Sequence, residues 1–280
     1  MRRASPFSWW LRGLLRHLAL GLGAVVMLAP FVMMLAISFK SPGEVFAPTF
    51  KLLPDVWYAQ QNYTEAFTKQ PLARYLLNGV IVGAAIFFFQ ALMAVPCAYA
   101  LAKLRWRGRD TTFVLVLLGL LIPPQVTAIP LYIGIWKVGL LDTYAAIILP
   151  STISVFGIFL MRQFFRTVPD DLLHAARLDG LSELAIVWRI MLPMAVPAMV
   201  SFGILSLIWN WNEFFWPLIV IQSEHLATPP LGVSFFSNAE AGTNYGVLMA
   251  AAVSINAPLI LAFLFAQRWF IDGVTMSAVK

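Results

Sequence analysis

An all-α integral membrane protein with six transmembrane helices is the fold that three features of this chain predict. Of 280 residues, 60% are hydrophobic and 11% charged, whereas a soluble domain carries about 25% charged residues. Six windows free of internal charge are each long enough for a hydrocarbon core of about 30 Å, which takes roughly 20 apolar residues in a helix. The cations are shared unevenly between the segments joining those windows.

The first window runs between Arg16 and Lys40, behind Arg2, Arg3, Arg12 and Arg16. A signal peptide has the same basic start, but this apolar run is longer than the usual h-region of about 7–15 residues and no clear small-residue cleavage site follows. The second lies between Arg74 and Lys103, and the third between Asp110 and Lys137. The fourth, between Asp142 and Arg162, is the tightest. The fifth opens after Arg189 and continues past Glu213 to about Ile221, which places one carboxyl inside a span. The sixth lies between Glu240 and Arg268. Residues 1–16 are therefore a basic N-terminal segment and 17–280 a six-span domain.

Lys and Arg collect on the cytoplasmic side of membrane proteins. With the N-terminus inside, only Lys40, Lys51, Lys69, Arg74 and Lys137 of the 19 Lys and Arg fall outside. Both termini are then cytoplasmic, and residues 169–193 form a cytoplasmic loop between spans four and five. Lys103 to Arg109 reads as part of this topology signal, with contacts to lipid phosphates.

Much chemistry is set aside. The single Cys97 allows no internal disulfide, and three scattered His residues give no metal-ligand spacing. The net charge of +6 is not interleaved with aromatics on a polar domain, so nucleic acid is not indicated. No G-x-x-x-x-G-K-[ST] loop is present to cradle ATP phosphates, and no G-x-S-x-G or H-E-x-x-H motif organises a catalytic site.

The loop 169–193 is half polar and half apolar. Pro169, Asp170 and Asp171 read as a helix start, with carboxylates at the positive end of the helix dipole. Two turns of helix from Leu172 to Asp179 would stop at Gly180, which tolerates a left-handed backbone. A second helix, capped by Ser182, would end before Pro193. Such a segment can lie on the lipid surface, or its elbow can dock into a groove of a cytosolic partner.

Inside the membrane, Trp209, Asn212, Glu213 and Trp216 fall at i, i+3, i+4 and i+7, one stripe of a continuous helix. An intramembrane carboxylate normally faces the bundle or a wet cavity. Amide, carboxylate and indole together suit a hydroxyl-rich solute, although an interfacial aromatic belt with a buried pair reads the same residues. Pro123 and Pro124 break the third span ahead of Gln125 and Thr127, and Asn256 with Pro258 does so in the sixth. The freed carbonyls favour cavity-lining positions, and kinks without a solute role are the plainer reading. Outside the membrane, Asn62 and Glu65 have the spacing of a capping box at a short surface helix, and Pro229, Pro230 and Gly232 mark turns in the outward loop 222–244.

The run Ala175, Ala176, Gly180, Ile190, Leu192 and Pro193 resembles the EAA loop of ABC importer permeases: E-A-A, three residues, G, nine residues, I-x-L-P. His174 stands where that family carries Glu. "YALAKLRWRGR", "IPPQVTAIPLY", "GLLDTY", "WNWNEFFWPLI" and "LMAAAVSINAPLILAFLFAQRWFIDGV" are similar to the carbohydrate-uptake branch, of the maltose and glycerol-3-phosphate type. The resemblance implies a type I importer permease in a bacterial inner membrane. It also implies that His174, Ala175, Ala176, Asp179, Gly180, Ile190, Leu192 and Pro193 couple to a homodimeric cytosolic ATPase, which binds ATP and Mg so that this chain holds no cofactor. A second homologous permease and an extracytoplasmic substrate-binding protein complete the set. Two rival classes remain at this stage. An intramembrane enzyme would need at least two convergent groups at membrane depth, where only Glu213 is charged. An ion-coupled secondary transporter usually shows internal repeats, and none is clear here.

Overall fold

The computed structural model describes residues 6–49, 51–237 and 243–278 and, of these, the side chains of 13–49, 51–237 and 243–265. Arg2, Arg3, Glu240 and Lys280 lie outside the described residues, as do the side chains of Arg12 and Arg268. No strand occurs among the described residues. The helices are α1 (Pro6–Ser38), α2 (Pro42–Val45), α3 (Ala59–Lys69), α4 (Leu72–Lys103), α5 (Arg109–Leu118), α6 (Pro124–Lys137), α7 (Tyr144–Ile148), α8 (Val155–Phe165), α9 (Asp170–Leu178), α10 (Glu183–Ile186), α11 (Leu192–Met194), α12 (Val196–Trp211), α13 (Phe215–Val220), α14 (Pro229–Ser234) and α15 (Tyr245–Ala278).

Helices α1, α4 and α15 are each long and apolar enough to cross a membrane. Three bent pairs reach the same length: Arg109–Leu121 with α6 at 95°, Tyr144–Ser151 with α8 at 43°, and Glu183–Met194 with α12 at 82°. Each long helix or pair overlaps one of the six apolar windows. The third window is bent far beyond a kink. Each of its two consecutive prolines disfavours the helical conformation in the residue before it. Ile122 and Pro123 accordingly take extended angles, with ψ of 112° and 134°. In the fourth window Thr143 caps α7, accepting the Ala146 N–H, and Ser154 caps α8 through the Gly157 N–H, so one apolar run carries two helix starts. In the fifth, Pro193 and Pro197 lie four residues apart. Neither has an N–H to bond back to the carbonyls of Arg189 and Pro193, and the chain turns between them at Ala195.

The chain folds as two compact units, residues 1–70 with 235–254 and residues 71–234 with 255–280. In the first, the short helix anticipated from Asn62 and Glu65 is present but starts earlier, at Ala59, so Asn62 does not cap it. The N-cap position belongs to Tyr58, and Asn62 is buried, donating Nδ2 to the carbonyls of Ser38 and Lys40 at 2.9 Å each. Both are orphan acceptors at the end of α1, and burial makes their satisfaction worth more than a surface cap. Lys40 reaches the Lys51 carbonyl, and the Tyr58 N–H donates to the Phe39 carbonyl.

In the second unit α4 is the central element, packing against α7, α8, α12 and α14. Tyr75, Asn78, Val82, Ile86, Gln90, Ala94, Val95, Ala98 and Tyr99 recur at helical spacing along its buried face. The opposite face exposes Leu77, Ile81, Phe88 and Leu92. Where α8 meets α12, a Cβ on Gly157 would overlap the Phe202 ring, so only glycine permits that approach. Three polar groups on α4 are paired in the interior. Asn78 donates to the carbonyls of His225 and Ala227 at 3.0 and 2.8 Å and accepts the Tyr144 hydroxyl at 2.7 Å. Gln90 donates to the Ser151 carbonyl and accepts the Ser206 hydroxyl. Tyr75 donates its hydroxyl to Glu224 at 3.0 Å. The outward stretch 224–234, expected as turns, is a 3-10 turn followed by α14, whose first residue is Pro229.

Replacing Asn78 by Leu leaves two carbonyls and one hydroxyl without this partner. A loss of about 1–3 kcal/mol is expected, the cost of unsatisfying a buried polar group. Thermal unfolding in detergent measures it, and an unshifted midpoint would mean that water takes over those bonds.

Candidate functional site

The segment from Pro169 to Pro193 folds as a helical elbow. Pro169 occupies the N-cap position of α9, with Asp170 and Asp171 in the first turn, as the dipole argument requires. The far end closes as a Schellman turn: the Leu181 N–H donates to the Ala176 carbonyl at 3.1 Å and the Gly180 N–H to the Arg177 carbonyl at 3.0 Å. Gly180 sits at φ +79°, the conformation that L side chains resist. Ser182 then caps α10, accepting the Ala185 N–H. The helix does not end before Pro193. It widens to a π-turn over Val187–Met191 and continues through α11. Accommodating a proline inside a helix calls for such a local change in hydrogen bonding.

The two faces of α9 differ. Leu173 and Ala176 are buried, packed with Tyr99, Met161, Phe165, Val187 and Met191. Asp171, His174, Ala175 and Leu178 form the outward stripe, and Leu178 is 90% exposed. Ala176, which the resemblance groups with Ala175 among the coupling residues, is therefore not on the outward stripe. Ala175 faces out, whereas the small side chain of Ala176 serves close packing inside this chain. Ile190 and Leu192 likewise pack partly against the inner cluster, while Asp179, Gly180 and Pro193 are exposed.

Polar bonds fix the elbow to α4. Lys103 donates to the Val168 carbonyl and to Asp170 Oδ1 at 2.6 Å. Cations near residue 103 do more than mark topology, since the Lys103 side chain is almost wholly buried. Its ammonium, hydrogen-bonded to Asp170, holds that carboxyl below the ordinary value of 3.8. Arg177 Nε donates to Glu183 Oε1 at 2.8 Å, closing the bend at Gly180, and the Tyr99 hydroxyl donates to the other Glu183 oxygen. Tyr99, Glu183 and Lys103 escape a motif search. The signal available is the spacing of Tyr99 and Lys103, four apart and so on one face of a helix.

The proposed solute stripe is not one stripe. Helix α12 ends at Trp211, and α13 restarts at Phe215, so Trp209 lies on the first helix and Trp216 on the second. The restart puts Pro217 within the first turn of α13, where its missing N–H breaks no bond. Glu213 Oε1 accepts the Trp216 N–H at 3.0 Å. Trp216 is buried and donates its indole N–H to the Ala146 carbonyl at 2.9 Å, which makes it a packing residue. Trp209 is 69% exposed, Asn212 is exposed with Nδ2 on the Ile208 carbonyl, and Gln125 is exposed in the first turn of α6. Asn256 is half-buried on α15. Trp211, which sequence spacing passed over, is buried and donates to the Ile255 carbonyl at 3.0 Å.

Among the described residues the chain is all helical, with long helices and bent pairs apolar enough to cross a membrane, and its class is that of the permeases of binding-protein-dependent importers. The chain belongs to the family described as binding-protein-dependent transport system inner membrane component, whose sequence model matches residues 91–276. It is 32% identical to the arabinooligosaccharides transport system permease protein of Halalkalibacterium halodurans, over 100% of this chain and 99% of that one. It is 29% identical to the sn-glycerol-3-phosphate transport system permease protein of Yersinia pestis, over 93% of this chain and 95% of that one. A crystal structure of a bacterial ABC transporter involved in the import of the acidic polysaccharide alginate contains a chain of the same fold. It matches with a TM-score of 0.84 and 24% identity over 96% of this chain and 100% of that chain. This protein is an integral membrane, non-catalytic permease subunit of an ABC importer, and its family membership implies a substrate-binding protein and an ATPase as partners.

Lys103→Met should loosen the first turn of α9 and raise amide exchange several-fold at pH 7 in residues 173–176, the first whose N–H groups bond back to that turn. In the wild type the lowered Asp170 value means that the ion pair is complete above the ordinary 3.8 and is lost only as pH falls through the lowered value. Exchange in this turn should therefore show no extra, ion-pair-dependent opening between pH 8 and 5. Loosening within that range would argue against this anchor.

Proposed function

We propose that this chain forms half of the translocation pore of a binding-protein-dependent importer of oligosaccharides or related polyhydroxylated solutes in a bacterial inner membrane. The three long helices and three bent pairs are its six spans, and both termini are cytoplasmic. A second, homologous permease forms the other half of the pore. A homodimeric cytosolic ATPase binds ATP and Mg and receives the elbow 169–193 in a cleft. The observation that carries this reading is the two-faced elbow. One face of α9 is bonded to its own chain, and the other presents His174, Ala175 and Leu178, followed by Asp179 and Gly180 at the bend. Leu184, 65% exposed, extends that apolar surface beyond the bend. Exposed leucines on a cytoplasmic loop suit a groove in a partner.

The solute class rests on the relatives, whose names specify arabinooligosaccharides and sn-glycerol-3-phosphate. An arabinooligosaccharide presents many hydroxyls and sn-glycerol-3-phosphate two beside its phosphate, and amide and carboxylate groups bind hydroxyls. Trp209, Asn212, Glu213, Gln125 and Asn256 are the pathway residues of this reading. Trp216 supports the wall, because its indole N–H is already bonded.

Gly180→Val forces a β-branched residue into a left-handed backbone position and should abolish solute-stimulated ATP hydrolysis and uptake in the reconstituted complex, while the chain still inserts. His174→Glu should be tolerated. Wild-type stimulation in Gly180→Val, with the ATPase bound, would remove the elbow from the coupling path.

Glu213→Gln keeps an oxygen able to accept the Trp216 N–H and deletes the charge. Uptake of an arabinooligosaccharide or of sn-glycerol-3-phosphate should fall about tenfold or more, the scale of losing a hydrogen bond to a charged group. Uptake at the wild-type rate would confine Glu213 to capping α13.

A further inference from the structure

The last turn of α4 holds the elbow at two points. Lys103 grips the entry to α9 through the Val168 carbonyl and Asp170. One turn earlier, Tyr99 meets the exit: its hydroxyl donates to Glu183 Oε2, and Arg177 Nη2 of α9 approaches the same hydroxyl at 3.5 Å. Glu183 is a two-way joint: Arg177 of α9 donates to both its oxygens, to Oε1 at 2.8 Å and to Oε2 at 3.3 Å, and Tyr99 of α4 donates to Oε2. The surrounding contacts are apolar and therefore non-directional, so they resist separation better than sliding. Charge-assisted hydrogen bonds have fixed geometry and hold the register.

The other end of α4 is pinned as well. The helix is continuous from Leu72 to Lys103, through Pro96, and its 32 residues span about 48 Å at 1.5 Å per residue. Near its start, Asn78 binds the carbonyls of His225 and Ala227, and Tyr75 binds Glu224. A single continuous helix, lacking one ladder bond at Pro96, thus has directional bonds to the elbow at one end and to the segment 224–227 at the other.

We propose that α4 is the rod that carries displacement of the elbow to segment 224–227, with Tyr99 and Glu183 as the positioning residues that attach it. This rests on the reading of the elbow as the ATPase contact, but it assigns the onward path to particular side chains. Tyr99 touches neither solute nor nucleotide in this scheme. It acts by holding Glu183, and through Glu183 the bend after α9, in register with the rod.

The test is amide hydrogen exchange on the complex with its ATPase in lipid nanodiscs, with and without ATP plus vanadate, so no solute has to be known. In the wild type, trapping the nucleotide should change exchange in α9, in residues 99–103 and in 224–227. Tyr99→Phe removes one hydroxyl from a ring that stays buried. It should keep the response of α9 while the response at 224–227 falls about fivefold or more, the lower end of typical coupling between sites. Glu183→Gln, which keeps an acceptor for Tyr99 but loses the ion pair with Arg177, should give an intermediate loss. Wild-type responses at 224–227 in both variants would overturn the proposal, as would failure of both to bind the ATPase, since the joint would then serve assembly. Absence of any response of α9 in the wild type would instead overturn the elbow's assignment as the ATPase contact.

Discussion

A polar group that enters the apolar interior of this chain costs free energy unless it is bonded there, and α4 is the helix that meets this constraint at several depths. Lipid offers no hydrogen bonds, and an unsatisfied group costs several kcal/mol. Asn78, Gln90, Tyr99 and Lys103 answer it along one helix, each bonded to a segment distant in sequence. Those bonds set the positions of segment 224–227, the turn at Ser151, the start of α10 and the start of α9. Apolar packing supplies most of the attraction, but it has no preferred direction, so the polar pairs decide the register in which α7, α8 and α12 lie against α4.

The prolines create the demand that these side chains meet. At 123–124 and 193–197 the backbone ladder is interrupted and the chain bends, and Pro217 sits in the first turn of a helix that restarts. Bent helices leave carbonyls and N–H groups without partners. The structure answers with short caps from Thr143, Ser154, Ser182 and Glu213.

The elbow shows how one short segment serves two surfaces. A helix of nine residues is too short to be stable alone in water. The Schellman turn at Gly180, the ion pairs to Lys103 and Glu183, and the burial of Leu173 and Ala176 hold it, and the outward stripe remains available for a partner. The replacement of the family's Glu by His174 falls on that outward stripe, so it alters what a partner meets and leaves the inner packing untouched.

The sequence by itself determined the helical membrane setting: composition and charge-free windows predict apolar crossings, and each window overlaps a long helix or a bent pair. It also determined the elbow, because Pro169, Gly180 and Ser182 act through their own backbones and nearest neighbours. The tertiary structure alone decided which side chains of the elbow face outward, since Ala175 and Ala176 are the same residue type and differ only in what lies across from them. It decided, too, that Asn62 ties the end of α1 where its spacing suggested a cap, and that Trp209 and Trp216 lie on separate helices. Helical spacing records angle around an axis and says nothing of whether the axis continues or what it packs against. Tyr99 and Glu183 are 84 residues apart, and only folding brings them within a hydrogen bond of each other.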